Sequence, residues 1–454
     1  MKNVGFLVLL IILNTNMLWA QEEPALTLQD CIEIALKNNS QLRNAERRVE
    51  IAGTSVTTAM ANLLPRVNAS IGSGKYIQGA RVVQTDVPLG LDPVTGRILY
   101  EQREIVQERI ERNSHQARVS LSQNIFDFGQ TINGIKEVKA SESAEQYSMI
   151  STKQTVILNV KKAYYELLKA YRLQEVYQEA VRLAQEQVNR AQAMFDIGLA
   201  SQAEVFQAKV TLGSNQMNLI TQQNLVEMAH ANLNNALGRN PSTPFKLIED
   251  KSEPIFPDYQ FEDAVNTAIS NNQDIKTLEL QAKAYMYSTR VAKGRYLPAI
   301  AASVSYSRNN DDYTRVYSSE LNRDFSASLG IGLDLNIFNG FSDQAAVQRE
   351  SINYQMAMEN LAERKRTVTA EVKQYFLQFN AYKEILDINR QNIEAAKENL
   401  RLQLEKRRVG SGTELEVAQA QVELTRAQST LVQAEYDAKI SKAQLEAVMG
   451  QSKE

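Results

Sequence analysis

Residues 325–337 alternate without a break. Phe325, Ala327, Leu329, Ile331, Leu333, Leu335 and Ile337 fall on one face, and Ser326, Ser328, Gly330, Gly332, Asp334 and Asn336 on the other. Period two over this length predicts a β-strand with one apolar and one small polar face. Ile300, Ala302, Val304 and Tyr306, set against Ala301, Ser303, Ser305 and Ser307, predict its partner. A weaker copy lies earlier, at Val67, Ala69 and Ile71, then Val119, Leu121 and Ile125. The expected strands cover about 65–73, 116–126, 298–307 and 324–338, and the polar stretches 72–116 and 308–323 are expected to be loops beyond their tips. Alternation fits two placements: a water-facing hairpin packed on helices, or a strand crossing a bilayer, which takes about ten residues. Phe126, Phe128, Phe338 and Phe341 at the strand ends favour the second.

Elsewhere the period changes. Ile157, Val160, Tyr164, Leu167 and Tyr171 recur at spacings of 3, 4, 3 and 4, the seam of a coiled coil. The series runs on through Gln174, Gln178, Val181, Gln185, Val188, Gln192 and Phe195, so alternate seam positions become Gln. Val372, Tyr375, Phe379, Tyr382, Leu386, Asn389 and Ile393 give a second seam. The Gln-rich end suits either a wet coiled coil or helices curving round a hollow. Long helices are expected at about 129–197, 201–237, 341–409 and 413–449; the longest would measure on the order of 100 Å. Gly198 and Gly410 close the first helix of each pair with a left-handed turn. Ser201 and Thr413 are placed to cap the next helix, and Glu204 and Glu416 to complete capping boxes.

Prolines divide the chain. Four of the nine fall between Pro241 and Pro257, and none occurs in 94–240 or after Pro298. Leu28–Asn39 matches Phe261–Asn272 at an offset of 233, which also carries Leu64-Pro65 onto Leu297-Pro298. Ile125-Phe126 matches Ile337-Phe338 at an offset of 212, which carries Gly198 onto Gly410, Ala208 onto Ala420 and Gly238 onto Gly450. Two constant offsets separated by one length change describe a duplicated architecture. The first repeat is 21–240, the connector 241–260, the second repeat 261–450 and the tail 451–454. Each repeat is expected to hold one helix ended by Pro65 or Pro298, two strands, then two long helices.

Composition narrows the function. With 50 Lys+Arg against 53 Asp+Glu, the chain carries no polycationic footprint for nucleic acid. One Cys and two His argue against a disulfide framework, a metal centre or another resident cofactor. Lys2, the apolar run Val4–Leu13 and Leu18-Trp19-Ala20 read as a signal peptide over 1–20. Cys31 lies beyond that cut and is expected to pack as a small apolar residue. No nucleophile elbow, phosphate loop or dinucleotide fingerprint is present, so an enzyme is not expected.

The stretch Leu28–Asn39, Leu63-Leu64-Pro65, Leu121–Gly129, Ala236–Arg239 and both glycine turns resemble the landmarks of the TolC-like outer-membrane factor family, over essentially residues 26–450. That resemblance implies a mainly α fold with a membrane β-barrel portion. Duplicated long-helix coiled-coil hairpins would be joined to four strands per protomer, and a homotrimer would build a 12-stranded barrel and an α-helical periplasmic tunnel. It implies the outer membrane of a Gram-negative-type cell, with the chain in contact with outer-membrane lipid and extending into the periplasm. The implied role is a passive exit duct of a tripartite efflux pump or type I secretion system. The implied partners are a periplasmic adaptor (membrane fusion) protein and an inner-membrane transporter of the RND, ABC or MFS type. The alternative is a structural periplasmic coiled-coil adaptor or envelope tether without a channel.

In this family the periplasmic end closes as an iris with a ring of carboxylates at the helix turns. By resemblance, Glu416 takes the ring position and Glu204 its counterpart in the first repeat. Gln419 stands where a second carboxylate is common, and Gly412 where a basic residue is frequent. The candidate gate is therefore Glu204, Glu416 and Gln419, at a tip formed by Gly198, Ser201, Gly410, Gly412 and Thr413. Capping boxes alone would equally account for both glutamates.

Overall fold

The computed structural model describes residues 25–248 and 260–451. The signal segment, residues 249–259 of the connector and 452–454 of the tail lie outside the described residues. The first repeat runs β1 (Ala25–Leu26), α1 (Leu28–Asn38), α2 (Ser40–Met60), β2 (Arg66–Gln78), β3 (Arg81–Leu91), β4 (Ile98–Gln107), β5 (Ile110–Phe126), α3 (Gln130–Asp196) and α4 (Gln202–Ala236). After β6 (Lys246–Leu247) come α5 (Phe261–Asn271), α6 (Gln273–Gly294), β7 (Ala299–Asn310), α7 (Tyr313–Val316), β8 (Phe325–Asp334), α8 (Ser342–Arg408) and α9 (Glu414–Val448). Helix accounts for 66% of the described residues, which makes the class mainly α. Two compact units cut across the repeats: residues up to Val49, Glu145–Leu278 and from Asn360 onward form one, and Glu50–Ala144 with Glu279–Glu359 the other.

In the helical unit two cores reproduce the two sequence offsets. One gathers Cys31, Ala35, Val156, Val160, Leu167, Leu233 and Leu237. The other gathers Ala264, Ala268, Val368, Val372, Phe379, Leu445 and Met449. The first pair of each is related by 233 and the rest by 212. The seam residues of the long helices are thus the ones that bury the start of each repeat. Cys31 occupies the slot that Ala264 fills in the other core, and burial pushes its thiol up to about 12. It is a packing residue and not a reactive one.

The single opening helix expected in each repeat is two helices. Asn39 and Asn272 are extended, and each side-chain oxygen accepts a backbone N–H two residues on, from Gln41 at 2.8 Å and Asp274 at 3.0 Å. A short amide side chain that caps a new helix competes with continuing the old one.

In the sheet unit the order is β2-β5-β7-β8, antiparallel throughout. The loop expected over 72–116 is corrected here. β2 and β5 stay paired to Gln78↔Ile110, and β3 and β4 then form a separate ribbon from Arg81↔Gln107 to Leu91↔Ile98. Polar residues on both faces hid it, because a ribbon wetted on both sides needs no alternation. The second expected loop contains the short α7, and β8 stops at Asp334 rather than 338. Its partner strand begins after Pro298, which has no N–H to continue the ladder.

Candidate gate and channel wall

The two helix turns lie in the helical unit and share one backbone design. α3 closes with Leu199 N–H donating to the Met194 carbonyl at 2.8 Å and Gly198 at φ +78°. α8 closes with Ser411 N–H donating to the Lys406 carbonyl at 3.0 Å and Gly410 at φ +79°. Both are Schellman-type ends, in which a residue without Cβ takes the left-handed region. Gly412 is constrained differently: a Cβ there would lie 3.0 Å from Lys406 Cβ and 3.1 Å from the Arg407 nitrogen.

Both capping boxes are formed. Glu204 N–H donates to Ser201 Oγ at 3.3 Å, and Ser201 N–H reaches the Glu204 carboxylate at 3.5 Å. Glu416 N–H donates to Thr413 Oγ1 at 3.3 Å, while Thr413 N–H and its hydroxyl donate to Glu416 Oε2 at 2.7 and 3.0 Å. The Thr413 N–H first, and its hydroxyl next, hold the exposed Glu416 carboxyl below its ordinary range. Gln419 is exposed on α9, one turn further along.

What fastens the turns together is Arg407, in the last turn of α8. Its Nη2 is 3.0 Å from Glu204 Oε2 in the first turn of α4, and its Nε is 3.5 Å from Glu414 Oε2 at the start of α9. Only 9% of the Glu414 side chain is exposed. A cation at a helix C-terminus meets carboxylates at two N-termini, where the macrodipoles favour each sign. Sequence reasoning missed Arg407 and Glu414. Arg407 and Glu204 are 203 residues apart, and no local periodicity links them.

In the sheet unit, register assigns the faces. Val119 sits opposite Ala69 and Tyr306, and Val304 opposite Leu121 and Leu329, so the apolar positions of all four strands share one side. Val67, Ile71, Leu329, Ile331 and Leu333 on that side are exposed. The other side carries serine ladders, with Ser305–Ser328 at 2.9 Å and Ser307–Ser326 at 2.8 Å. Aromatic pairs bracket the apolar band. At one end Phe126 meets Phe128 at 4.7 Å and Phe338 meets Phe341 at 5.3 Å. At the other, Tyr306 stacks on Phe325 at 5.5 Å, and His115 lies edge-on to Tyr313 and Tyr317 at 6.1 and 6.4 Å. Phe126 to His115 spans ten paired steps after the bulge at Asn124, roughly 33 Å of strand, or about 25 Å of height at a tilt near 40°. That is the height of the apolar band of an outer-membrane barrel.

Such a sheet, joined to long helical hairpins, defines a class of envelope channel. A sequence model of the outer membrane efflux protein family matches residues 31–239 and 264–451, and the chain belongs to that family. Its place is the outer membrane, and several of its relatives are named as outer membrane proteins of efflux pumps. The chain is 23% identical over 427 residues to the outer membrane efflux protein BepC of Brucella suis biovar 1 (strain 1330), covering 94% of this chain and 86% of that one. It is 21% identical over 439 residues to the outer membrane protein TolC of Vibrio cholerae serotype O1 (strain ATCC 39315 / El Tor Inaba N16961), covering 96% and 92%. The solved structure of CusC, described as forming a transmembrane channel, superposes with a TM-score of 0.79 at 16% identity, covering 97% of this chain and 96% of that one.

Proposed function

We propose that three copies of this chain close their sheets into one 12-stranded outer-membrane barrel. Their long helices line the periplasmic passage, and the assembly is the passive exit duct of a tripartite efflux pump or type I secretion system. A periplasmic adaptor and an inner-membrane transporter, which supplies the energy, complete the path.

The observation that carries this reading is the sheet itself. β2 and β8 are its two open edges, and lipid does not tolerate unpaired strand edges. Copies of the same sheet satisfy them. Eight strands from two copies would leave a lumen filled by side chains, whereas twelve leave a passage. The helices carry a parallel signal. Phe206, Val210, Met217, Ile220 and Met228 make an exposed apolar stripe along α4, suited to a neighbouring copy.

The gate in this reading is at the turns. Glu416 of three copies would ring the axis, repel one another and attract cations, while Arg407 holds Glu204 and keeps each protomer's turns together. Negative-stain images of the detergent-extracted protein should show three-fold particles, and bilayer recordings of Arg407→Ala should show a raised open probability. A water-soluble monomer would overturn the duct and leave the tether. Unchanged gating in Arg407→Ala and in the Glu204→Ala, Glu416→Ala double variant would remove the gate from these turns.

A further inference from the structure

The polar side of the four-stranded sheet is nearly uncharged. Serine, glycine, asparagine and glutamine dominate it, with Tyr76, Ile110, Ala299 and Ala301 among them, and its charged residues are Arg66, Arg112, Arg118 and Asp334. Asp334 lies at the periplasmic end, opposite Ala299. Arg66 is at the same end and donates to Asn62 Oδ1 at 2.7 Å. Arg118 is different. It stands mid-strand on β5, exposed, with Ser70 opposite on one side and Ser307 on the other. Arg112 lies further out, opposite Tyr76.

The two sides of the sheet treat cations differently. On the apolar side Lys75 is 2.6 Å from Glu111, and Arg109 pairs with the same carboxylate. Arg308, also on that side, spends its guanidinium on the Arg315 and Ser318 carbonyls and the Ser318 hydroxyl. Among the described residues no ion pair involves Arg118 or Arg112. Among the cations of the four strands, Arg118 and Arg112 are thus the two whose guanidinium has no partner group among the described residues, and both stand on the side that, in the duct reading, faces water.

We propose that Arg118, one from each protomer, forms a cationic collar inside the barrel that recruits polyvalent anions, with Arg112 extending the field towards the outer mouth. The collar rests on the duct reading. A water-filled lumen with low-dielectric walls focuses the field of such a ring and raises the local concentration of counter-ions. Small neighbours leave the guanidinium free to reach a ligand, and its fork of donors suits phosphate, sulfate and carboxylate oxygens. The class of solute favoured at the exit is thus anionic, whatever the periplasmic turns prefer.

Side-dependent block in planar bilayers isolates the collar from those turns. Inorganic tripolyphosphate added at the barrel mouth should block the wild-type channel, and Arg118→Gln should weaken the block about tenfold, the low end of such field effects. Arg118→Lys should keep most of it, and Arg112→Gln should lose less than Arg118→Gln. Charge can also be replaced in a channel already folded, because the single native thiol, Cys31, is buried. Arg118→Cys treated with a cationic methanethiosulfonate should recover block, and treatment with an anionic one should not. A conducting wild type whose block is the same in every variant overturns the collar and leaves the duct standing. A wild type that forms trimers but never conducts overturns the duct reading, and the collar with it.

Discussion

The turn at Gly198 and the turn at Gly410 are copies in backbone and unequal in side chain. Their glycines sit at φ +78° and +79°, and each is followed by a complete capping box. Yet Glu204 both caps its helix and pairs with Arg407, whereas Glu416 caps its own helix and stays exposed. By the 212 offset, the counterpart of Arg407 is Phe195 and that of Glu414 is Gln202. The duplication kept the geometry of the turn and dropped the reciprocal ion pair. Two turns of equal shape are therefore held with unequal strength, and the second-repeat turn is the one whose carboxylate is at liberty to do something else.

The sharpest way to break this asymmetry is Arg407→Ala. It strips the nearly buried Glu414 of its partner and frees Glu204, and should cost about 2–3 kcal/mol. Thermal unfolding in detergent should fall, and hydrogen exchange should rise at both turns together. Next come Gly198→Ala and Gly410→Ala, each expected to cost about 1–2 kcal/mol because the left-handed region penalises a Cβ. Similar losses would confirm that the backbones are equivalent. Gly412→Ala should add a loss of about 1 kcal/mol, while the first-repeat counterpart, Ala200→Gly, should cost less than that. Ser201→Ala and Thr413→Ala should each cost about 1 kcal/mol.

The smallest effect is in pH. Glu416 has a folded value below its ordinary one, so its contribution is present above the ordinary glutamate range and lost as pH falls through the lowered value. Glu416→Gln should flatten the acid limb of the melting-temperature profile, and an unaltered limb would show that the cap carries no such linkage.

Much of this was legible in the sequence, for reasons that differ by element. The long helices announced themselves through proline-free stretches and a 3-4 seam, and the seam residues Val160 and Val372 do bury the opening helices. The strands at 299–310 and 325–334 alternate, and their register gathers the apolar positions on one side and the serines and glycines on the other. The β3–β4 ribbon escaped because Glu101, Arg103 and Glu104 sit among Val83 and Ile105 with no period to read. The helix breaks at Asn39 and Asn272 depend on one side-chain amide each. Arg407 could not be found by pattern, since its partner is set by packing between hairpins.

One dimension of the helices has a consequence for how such a chain can change over time. α3 and α8 are each 67 residues, and α4 and α9 are each 35. Two repeats that have drifted to Phe195 against Arg407 at the same site have nonetheless kept their lengths in step. Length behaves as a shared yardstick. A heptad inserted into one hairpin alone would set the turns out of level and pull Arg407 from Glu204, so viable insertions should arrive in matched pairs, one per repeat.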